Sequence, residues 1–313
     1  MSLRPHHAPR HRVWRPGRPV DLAATWGTLR RGAGDPTWRV AGGALWRGIR
    51  TGAGPVTLRV QVEAAQGRVL AHAWGETDAA GWLLDRLPTM LGQDDKREGF
   101  VPHHPAVAAA LRCRPGWRVP CTGLVLEALV PAVIEQKVTG QEALGGQRRL
   151  VRRMGDPAPG PGAELGLYVA PSPERLRAMP SWEWLRMGIS PQRADTLMRV
   201  VRVADRLAAV ADLPAGQARC RLRAVPGVGV WTAAETAQRA LGDADAVSFG
   251  DYHVARNIGW ALTGQQVDDR GLAELLEPYA GHRYRVQRLL ELVGGMRPRR
   301  GPRMAPRTHL PVR

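Results

Sequence analysis

Two short segments near residue 60 alternate apolar and polar residues with a period of two. Residues 56–62 follow this pattern, and residues 68–74 repeat it after a short turn. Such alternation is typical of half-buried β-strands, so we predict a β-hairpin. Residues 38–49 are expected to add one or two strands, and residues 79–87 have helical spacing. Antiparallel strands beside a helix predict a small α+β domain over residues 19–100.

From about residue 101 onward, apolar residues recur at three- and four-residue spacing instead. This spacing indicates helices with one buried face. Proline and glycine separate the helical segments, which are residues 122–135, 141–154, 190–211, 229–241, 251–262 and 281–293. The sequence therefore predicts a mainly α protein, in which an all-helical domain over residues 101–296 follows the small α+β domain.

The chain carries a large positive charge. Its 313 residues include 45 Lys+Arg against 28 Asp+Glu, which gives a formal net charge of +17. A charge this far from zero indicates a polyanionic partner, either nucleic acid or an anionic membrane. Residues 1–18 and 297–313 contain five and six arginines, respectively, and no acid. We predict that both segments are disordered basic tails.

Composition also excludes several classes of protein. Three cysteines cannot supply a disulfide framework, an all-cysteine iron–sulfur cluster or a paired CxxC zinc site. The N-terminus lacks the apolar core of a signal peptide, and the longest apolar stretch, residues 123–134, is too short to cross a bilayer. We therefore predict a cytoplasmic protein with no membrane partner and no side-chain metal site.

The most distinctive local pattern lies between two predicted helices. Pro226 helps to end the first helix, and Gly227 and Gly229 flank one small apolar residue, Val228. The glycines permit positive φ and the close approach of another backbone. The next helix begins with free N–H groups that suit a phosphate. The pattern predicts a helix–hairpin–helix element that binds the DNA backbone, with Thr232 on its second helix. An ordinary helix–turn–helix corner with a C-capping glycine is the alternative.

A single acidic residue follows this hairpin. Asp251 lies 20 residues after Trp231, at the predicted start of the 251–262 helix. Aspartate is among the best N-cap residues, so a purely structural role is one interpretation. A carboxylate held beside bound DNA is the other, and the hairpin upstream favours it.

The hairpin, the helix after it and an aspartate at this distance resemble the helix–hairpin–helix Gly/Pro/Asp superfamily of base-excision DNA glycosylases. Within that superfamily the chain looks like the bacterial 3-methyladenine DNA glycosylase II family, over residues 101–293. The other stretches that carry the resemblance are residues 114–120, 136–139, 171–176 and 185–194. Residues 19–100 are similar to the N-terminal α+β domain of that family only weakly.

The resemblance implies a chemical role for Asp251. Cleavage of an N-glycosidic bond passes through an oxocarbenium-like sugar, which a carboxylate stabilises while it orients the attacking water. The damaged nucleotide must first be flipped out of the duplex. Family members with a lysine two residues after the second hairpin glycine cleave the strand through a Schiff base. This chain has Trp231 there, and its only lysines are Lys96 and Lys137. A monofunctional glycosylase that uses water is therefore expected.

The resemblance also implies a base pocket and a wedge. Trp231, Glu235 and Trp26 match pocket positions, and core packing is the alternative for the tryptophans. Glu235 stands where the family has an aromatic residue, so either a carboxylate replaces aromatic stacking on a cationic base or the substrate differs. Lys137, beside Gln136, matches the residue that fills the gap left by the flipped base. A phosphate contact is the alternative for Lys137.

Arg256 is a candidate phosphate contact, and His253 is expected to pack on the catalytic helix. A further aromatic position of the family's pocket aligns with Glu291 or Val293. No cofactor is expected, although by analogy the hairpin carbonyls are a candidate site for a monovalent cation.

The leading hypothesis is a monomeric, monofunctional glycosylase of base excision repair. It would excise alkylated, 3-methyladenine-type bases from double-stranded DNA and so associate with the nucleoid. One alternative is a non-catalytic binder of damaged DNA with the same fold. The other is a glycosylase for deaminated or oxidised bases.

Overall fold

The computed structural model describes residues 8–294 and 297–298 of the chain. Its N-terminal part is a five-stranded antiparallel sheet with a long helix packed on one face. The strands, in the sheet order β1-β5-β4-β3-β2, are β1 (Arg10–Trp14), β2 (Trp38–Ala41), β3 (Ala44–Thr51), β4 (Gly54–Glu63) and β5 (Arg68–Gly75). The helices that accompany them are α1 (Leu22–Trp26) and α2 (Thr77–Met90).

Strands β4 and β5 form the hairpin that the sequence predicts. Val56 lies opposite Gly75, and Val62 lies opposite Val69. Alternate residues of both strands face α2, so that Val56 and Val69 are fully buried in one apolar cluster with Leu83. The period-two pattern therefore identified the inward face of this sheet correctly.

The first strand corrects the sequence analysis. Residues 1–18 are predicted to be a disordered tail, but residues 10–14 form β1, which pairs with β5 at the sheet edge. Arg12 donates to Asp85 Oδ1 at 2.9 Å and to the Leu84 carbonyl at 3.2 Å, both on α2. The segment needs few apolar residues of its own because it pairs with an existing strand and its arginine binds the neighbouring helix.

Helices form most of the remaining chain. They are α3 (Pro105–Cys113), α4 (Val125–Ile134), α5 (Gly140–Met154), α6 (Pro161–Glu164), α7 (Pro173–Arg177), α8 (Ser181–Arg186), α9 (Pro191–Arg202), α10 (Ala204–Ala208), α11 (Ala215–Arg223), α12 (Val230–Thr236), α13 (Val254–Thr263), α14 (Asp269–Leu276) and α15 (Arg283–Val293). The prediction of a mainly α protein with a small N-terminal α+β part is confirmed. The predicted 190–211 helix is broken at Val203, and the 229–241 segment continues beyond α12 as a π-helix, Ala237–Leu241.

A two-stranded ribbon interrupts the helical part. Strands β6 (Asp156–Pro157) and β7 (Tyr168–Val169) are antiparallel. The ribbon lies against β3, where the Tyr168 carbonyl approaches Gly48 so closely that no side chain would fit. The prediction that residues 101–296 are all helical is wrong here, because two-residue strands are too short to show a period of two.

Buried ion pairs fix the N-terminal domain to two groups of helices. Arg47 on β3 is 2% exposed and pairs with Glu127 of α4. Arg285 on α15 is fully buried and binds both carboxylate oxygens of Asp95, at 2.6 and 2.8 Å. Breaking such a pair leaves a buried charge without compensation. The two contacts therefore hold the N-terminal domain against α4 and α15.

No helix in the described part of the chain is long and apolar enough to cross a bilayer. The predicted C-terminal tail lies outside the described residues except for Arg297 and Pro298, and residues 1–7 also lie outside them.

Candidate functional site

The hairpin between α11 and α12 depends on its glycines for different reasons. Gly227 has a φ of 96°, and a Cβ added there would collide with the Thr196 side chain. Val228 is 4% exposed and packs in the core of the helical domain. Gly229 begins α12 with open space around its Cα. The turn therefore anchors itself through Val228 and leaves the start of α12 accessible to a ligand.

A glutamine joins the hairpin to the loop between α4 and α5. Gln136 Nε2 donates to the Gly227 carbonyl at 2.9 Å and to Thr232 Oγ1 at 2.8 Å. Thr232 is 2% exposed, so its side chain supports the hairpin from inside, and contact of the hairpin with the DNA backbone stays a prediction. The amide nitrogen of Gln136 thus positions the hairpin, and the predicted DNA contact of Gln136 stays a prediction.

Lys137 is exposed at the tip of the same loop. Its φ is 52°, and it is the only non-glycine residue with positive φ in the part of the chain that the structure describes. This conformation costs roughly 1–2 kcal/mol for an L-residue. Thr139 immediately afterwards caps α5 in a capping box with Glu142. The cap and the Gln136 bonds on either side hold Lys137 outward, which is compatible with the predicted wedge.

Asp251 uses its two carboxylate oxygens differently. Oδ1 accepts the backbone N–H of His253 at 2.7 Å and of Val254 at 3.1 Å, as an N-cap does at the start of α13. Oδ2 accepts the indole N–H of Trp231 at 3.1 Å. The structural interpretation of Asp251 is therefore confirmed, since its Oδ1 caps the start of α13. Its carboxylate also lines a cavity, and its catalytic role stays a prediction.

The cavity has a volume of about 370 Å³ and lies between the N-terminal domain and the helical domain. Its walls come from the segment after α1, the residue after α4, helices α5, α12, α13 and α15, the π-helix, and the turn before α13. They consist of Gly27, Thr28, Arg30, Arg31, Glu135, Leu144, Glu235, Gln238, Arg239, Asp251, His253, Val254, Asn257, Tyr284, Gln287, Arg288 and Glu291. This volume falls within the range of small-molecule sites.

Charged groups of both signs line the cavity, and most are paired. Three lining carboxylates bind arginines: Glu135 with Arg31 at 2.9 Å, Glu235 with Arg239 at 2.7 Å, and Glu291 with Arg288 at 3.0 Å. Among the contacts of the described residues, Asp251 is the lining carboxylate without an arginine partner. Its negative charge is therefore the least neutralised at this cavity.

Glu235 stays ionised in its largely buried position. Burial raises the pKa of its carboxyl, but the Arg239 guanidinium and the Ser248 hydroxyl, which donates at 2.5 Å, more than offset this effect and leave the pKa below its ordinary value. Arg239 also donates to the Thr28 carbonyl at 2.9 Å. Glu235 thus belongs to a network that ties α12 to the N-terminal domain.

Several polar atoms of the lining residues lack partners. The Tyr284 hydroxyl, Arg288 Nε and Thr28 Oγ1 are buried and make no hydrogen bond in the described structure. Burial raises the pKa of Tyr284 to about 12, so its hydroxyl keeps its proton at neutral pH. An unsatisfied buried polar group costs roughly 1–3 kcal/mol.

The two tryptophans predicted for the base pocket have different positions. Trp231 is partly buried and is not among the lining residues, although its indole N–H binds Asp251, which lines the cavity. Trp26 is fully buried, donates its indole N–H to the Met90 carbonyl at 2.9 Å and packs in the N-terminal core. The pocket prediction for Trp26 is wrong, since its neighbours Gly27 and Thr28 reach the cavity instead.

An exposed aromatic residue lies beside Asp251 that sequence reasoning missed. Tyr252 is 68% exposed, and the Arg256 guanidinium lies 4.4 Å from the centre of its ring. His253 meets the same ring edge-on at 4.9 Å. The cation–aromatic pair lies one residue after Asp251 in the chain, and the phosphate contact of Arg256 stays a prediction.

Sequence reasoning also missed most of the arginines and the tyrosine of the cavity. Arg239 follows Glu235 by four residues and Arg288 follows Tyr284 by four, a spacing that places both members of a pair on one helix face. That spacing was visible in the sequence, but nothing local indicated that Arg31 would meet the same cavity.

Among the described residues, no group of three or more His, Cys, Asp or Glu side chains could hold a metal ion. A monovalent cation at the hairpin carbonyls stays a prediction. Two of those carbonyls have protein partners, since Gly227 accepts from Gln136 and Val225 accepts the Val228 N–H at 3.0 Å.

No family model matches the chain. A curated relative, the probable bifunctional transcriptional activator/DNA repair enzyme AlkA of Mycobacterium tuberculosis, is 34% identical over 149 residues. The match covers 47% of this chain and 29% of the relative, so the chain spans less than a third of that protein's length.

Solved structures match almost the whole chain. The 3-methyladenine DNA glycosylase of Archaeoglobus fulgidus has a TM-score of 0.73 at 18% identity, covering 89% of this chain and 97% of that one. The Clostridium acetobutylicum 8-oxoguanine glycosylase/lyase, solved with double-stranded DNA, has a TM-score of 0.67 at 13% identity, covering 91% and 96%. The fold is therefore that of the helix–hairpin–helix DNA glycosylases. The distant AlkA relative supports the same superfamily.

Proposed function

We propose that this protein is a monofunctional DNA glycosylase of base excision repair that hydrolyses the N-glycosidic bond of alkylated bases in double-stranded DNA. The observation that carries the proposal is the position of Asp251. Its carboxylate is fixed by the N-terminus of α13 and by Trp231, and it lines a charged cavity close to an accessible hairpin. A protein that only bound DNA would have little need for a carboxylate that lines such a cavity without an arginine partner, beyond its cap of α13.

The chemistry follows from this carboxylate. The bond between sugar C1′ and the base nitrogen breaks, and the base leaves with the electron pair, which leaves an oxocarbenium-like sugar. The Asp251 carboxylate stabilises that positive charge electrostatically. Water then adds to C1′ and gives a proton to the carboxylate, so that the products are the free base and an abasic site.

The surface around the cavity supplies DNA contacts in the same proposal. The start of α12 offers backbone N–H groups to a phosphate, and Arg256 offers a guanidinium near the cavity mouth. Lys137 enters the gap left by the flipped nucleotide. We propose that the protein acts as a monomer in contact with chromosomal DNA.

The absence of a nucleophilic lysine distinguishes hydrolysis from lyase chemistry. Trp231 occupies the position after the hairpin, and neither Lys96 nor Lys137 lines the cavity. We expect that borohydride will trap no covalent enzyme–DNA adduct while the wild-type protein releases bases. Efficient trapping would contradict the monofunctional mechanism, because it requires an amine at C1′.

The lesion class is tested by identifying the released bases. The protein is incubated with methylated, deaminated and oxidised duplexes, and the free bases are separated by chromatography and identified by mass. Release of methylated purines supports the proposal. Release of bases only from oxidised or deaminated duplex would contradict the alkylated-base substrate and indicate one of those lesion classes instead. Tight binding without any release would indicate a non-catalytic binder.

A further inference from the structure

The loop between α4 and α5, residues 135–139, holds Lys137 in a left-handed backbone conformation. We call this segment the wedge loop. A non-glycine residue keeps such a conformation only where the surrounding structure fixes it. Lys137 is itself exposed, so the residues on either side of it must do so.

Three side chains of the wedge loop are anchored. Gln136 binds the hairpin, and Thr139 caps α5, so these two anchors lie within the helical domain. The third anchor reaches the N-terminal domain, where Arg31 Nη1 donates to Glu135 Oε1 at 2.9 Å. Because Glu135 precedes Lys137 by two residues, this ion pair fixes the loop at the point where it leaves α4.

Arg31 is a firm point of attachment. Its side chain is 9% exposed, and its backbone N–H donates to Asp35 Oδ2 at 2.7 Å. The other oxygen of that carboxylate accepts the Thr37 N–H at 2.9 Å. The next residue, Gly32, has a φ of 77° and lies so close to Leu144 of α5 that a Cβ would collide with it. The segment that carries Arg31 is therefore held both by its own turn and by α5.

We propose that Arg31 is a positioning residue, which holds Lys137 in place for base flipping through its ion pair with Glu135. The inference rests on the proposed glycosylase function and gives the N-terminal domain a part in it. A misplacement of about 1 Å in a reacting assembly can lower a rate by about 100-fold. Loss of the ion pair releases the α4 side of the wedge loop, so that Lys137 no longer fills the gap left by the base.

The free energy of flipping provides a readout that is specific to the wedge. Extruding a paired base costs more than extruding a mispaired base. A misplaced wedge therefore slows release from a paired lesion more than release from the same lesion opposite a mismatched base. A change in the cavity itself slows both alike. The ratio of the two rates thus separates positioning from a direct role of Arg31, which also lines the cavity.

The test uses a strand with one methylated purine among thymines, annealed to its complement or to a strand with a mismatched base opposite the lesion. Single-turnover release with saturating protein gives the ratio of the paired to the mispaired rate. We expect Arg31→Gln to lower this ratio about tenfold relative to the wild type. Glu135→Gln should lower it by a similar factor, because it weakens the same ion pair from the other side.

A double variant shows whether Arg31 acts through the wedge. Lys137→Ala should lower the ratio at least as much as Arg31→Gln. Arg31→Gln combined with Lys137→Ala should lower it no further than Lys137→Ala alone, since residues that act through one another are not additive. A further fall in the double variant would overturn the inference.

Arg47→Gln is the matched control. Arg47 also belongs to the N-terminal domain and pairs with a glutamate of α4, but its partner Glu127 lies eight residues before Glu135. Arg47 is not among the described residues that line the cavity. Its substitution should lower the melting temperature, because a buried pair is broken, and should leave the ratio unchanged.

The outcomes separate the inference from the proposed function. If Arg31→Gln and Glu135→Gln keep the wild-type ratio, or if Arg47→Gln lowers the ratio as much as they do, the inference is overturned while the proposed function stands. If the wild type releases no methylated base from either duplex, the proposed function fails and the inference fails with it.

Discussion

Asp251 has a structural role in the fold and a chemical role in the proposed function. The sequence offers an N-cap and a catalytic carboxylate as alternatives. In the structure Oδ1 forms the cap and Oδ2 accepts from Trp231 beside the cavity, so the cap does not exclude the proposed chemical role. Capping fixes the carboxylate, and the absence of an arginine partner among its described contacts leaves its charge available. The residue type and its distance from the hairpin were enough to predict the candidate. The bond from Trp231 required the fold.

Glu235 gives a prediction in which pH is the variable. Its pKa in the folded protein lies below the ordinary value, so its ionised form stabilises the fold. That contribution is complete above the carboxyl's unfolded-state pKa and is lost as the pH falls through the folded-state pKa. We expect Glu235→Gln to lower the free energy of unfolding by roughly 3 kcal/mol at pH 7, because Arg239 loses its partner.

Urea denaturation at pH 7 and at pH 3 measures this effect. The difference between wild type and Glu235→Gln should shrink at the acidic pH. Glu274→Gln is the control, since Glu274 also binds an arginine four residues away, Arg270, but both side chains are exposed. That pair should contribute less than about 0.5 kcal/mol. If Glu235→Gln and Glu274→Gln lowered the free energy of unfolding by the same amount, the claim that the Glu235–Arg239 pair stabilises the fold at the cavity would be contradicted.

At the scale of elements, the hairpin could be predicted from the sequence, but the distant residues that hold it in place could not. Two glycines around a small apolar residue, between amphipathic helices, identified the turn and the start of α12. The Gln136 bridge and the packing of Gly227 on Thr196 join segments far apart in the sequence. Strands β6 and β7 were missed because they are too short for a pattern. The π-helix after α12 differs from an α-helix by one residue per turn, which apolar spacing does not resolve.

The hairpin glycines provide an internal comparison. We expect Gly227→Ala to lower the free energy of unfolding by about 1–3 kcal/mol, because it requires positive φ and collides with Thr196. Gly229→Ala should cost less than about 1 kcal/mol, since its φ is −86° and its surroundings are open. Chemical denaturation measures both. A larger loss for Gly229→Ala would mean that the hairpin has a different conformation.

At the scale of the whole molecule, the cavity is a product of the tertiary fold. The N-terminal segment contributes Thr28 and Arg31, and α12 and α15 contribute residues more than 200 positions away. Local patterns predicted the fold class and the hairpin, but no local pattern brings these segments together. The same limit explains the wrong prediction for Trp26. The segment that contains it does reach the cavity, through Gly27 and Thr28, but the Trp26 side chain itself faces the core. Strand β1 was missed because its stability comes from pairing with β5 and α2.

The structure changes the predicted distribution of positive charge between the tails and the folded part of the chain. Arg10, Arg12, Arg15 and Arg18 belong to the described part of the chain, so the predicted N-terminal tail supplies less loose charge than its composition suggests. Residues 299–313 contain five arginines and no acid. We expect their deletion to reduce the slope of log Kd against log salt by at most about 4.5, since each phosphate contact contributes about 0.9.

Fluorescence anisotropy over a salt series measures that slope, and single-turnover kinetics with saturating protein measure base release on bound DNA. Release should be nearly unchanged, because every cavity residue precedes residue 292. A collapse of base release in the shortened protein would mean that the tail takes part in the chemistry.

The most direct test of the central claim is the rate of base release by Asp251→Asn. Asparagine keeps a side-chain oxygen for the cap of α13 and removes the negative charge. The account predicts that single-turnover release from methylated duplex falls by at least about 100-fold, while Kd for the same duplex changes less than about threefold. Release at the wild-type rate by the folded variant would contradict the assignment of Asp251 as the catalytic carboxylate.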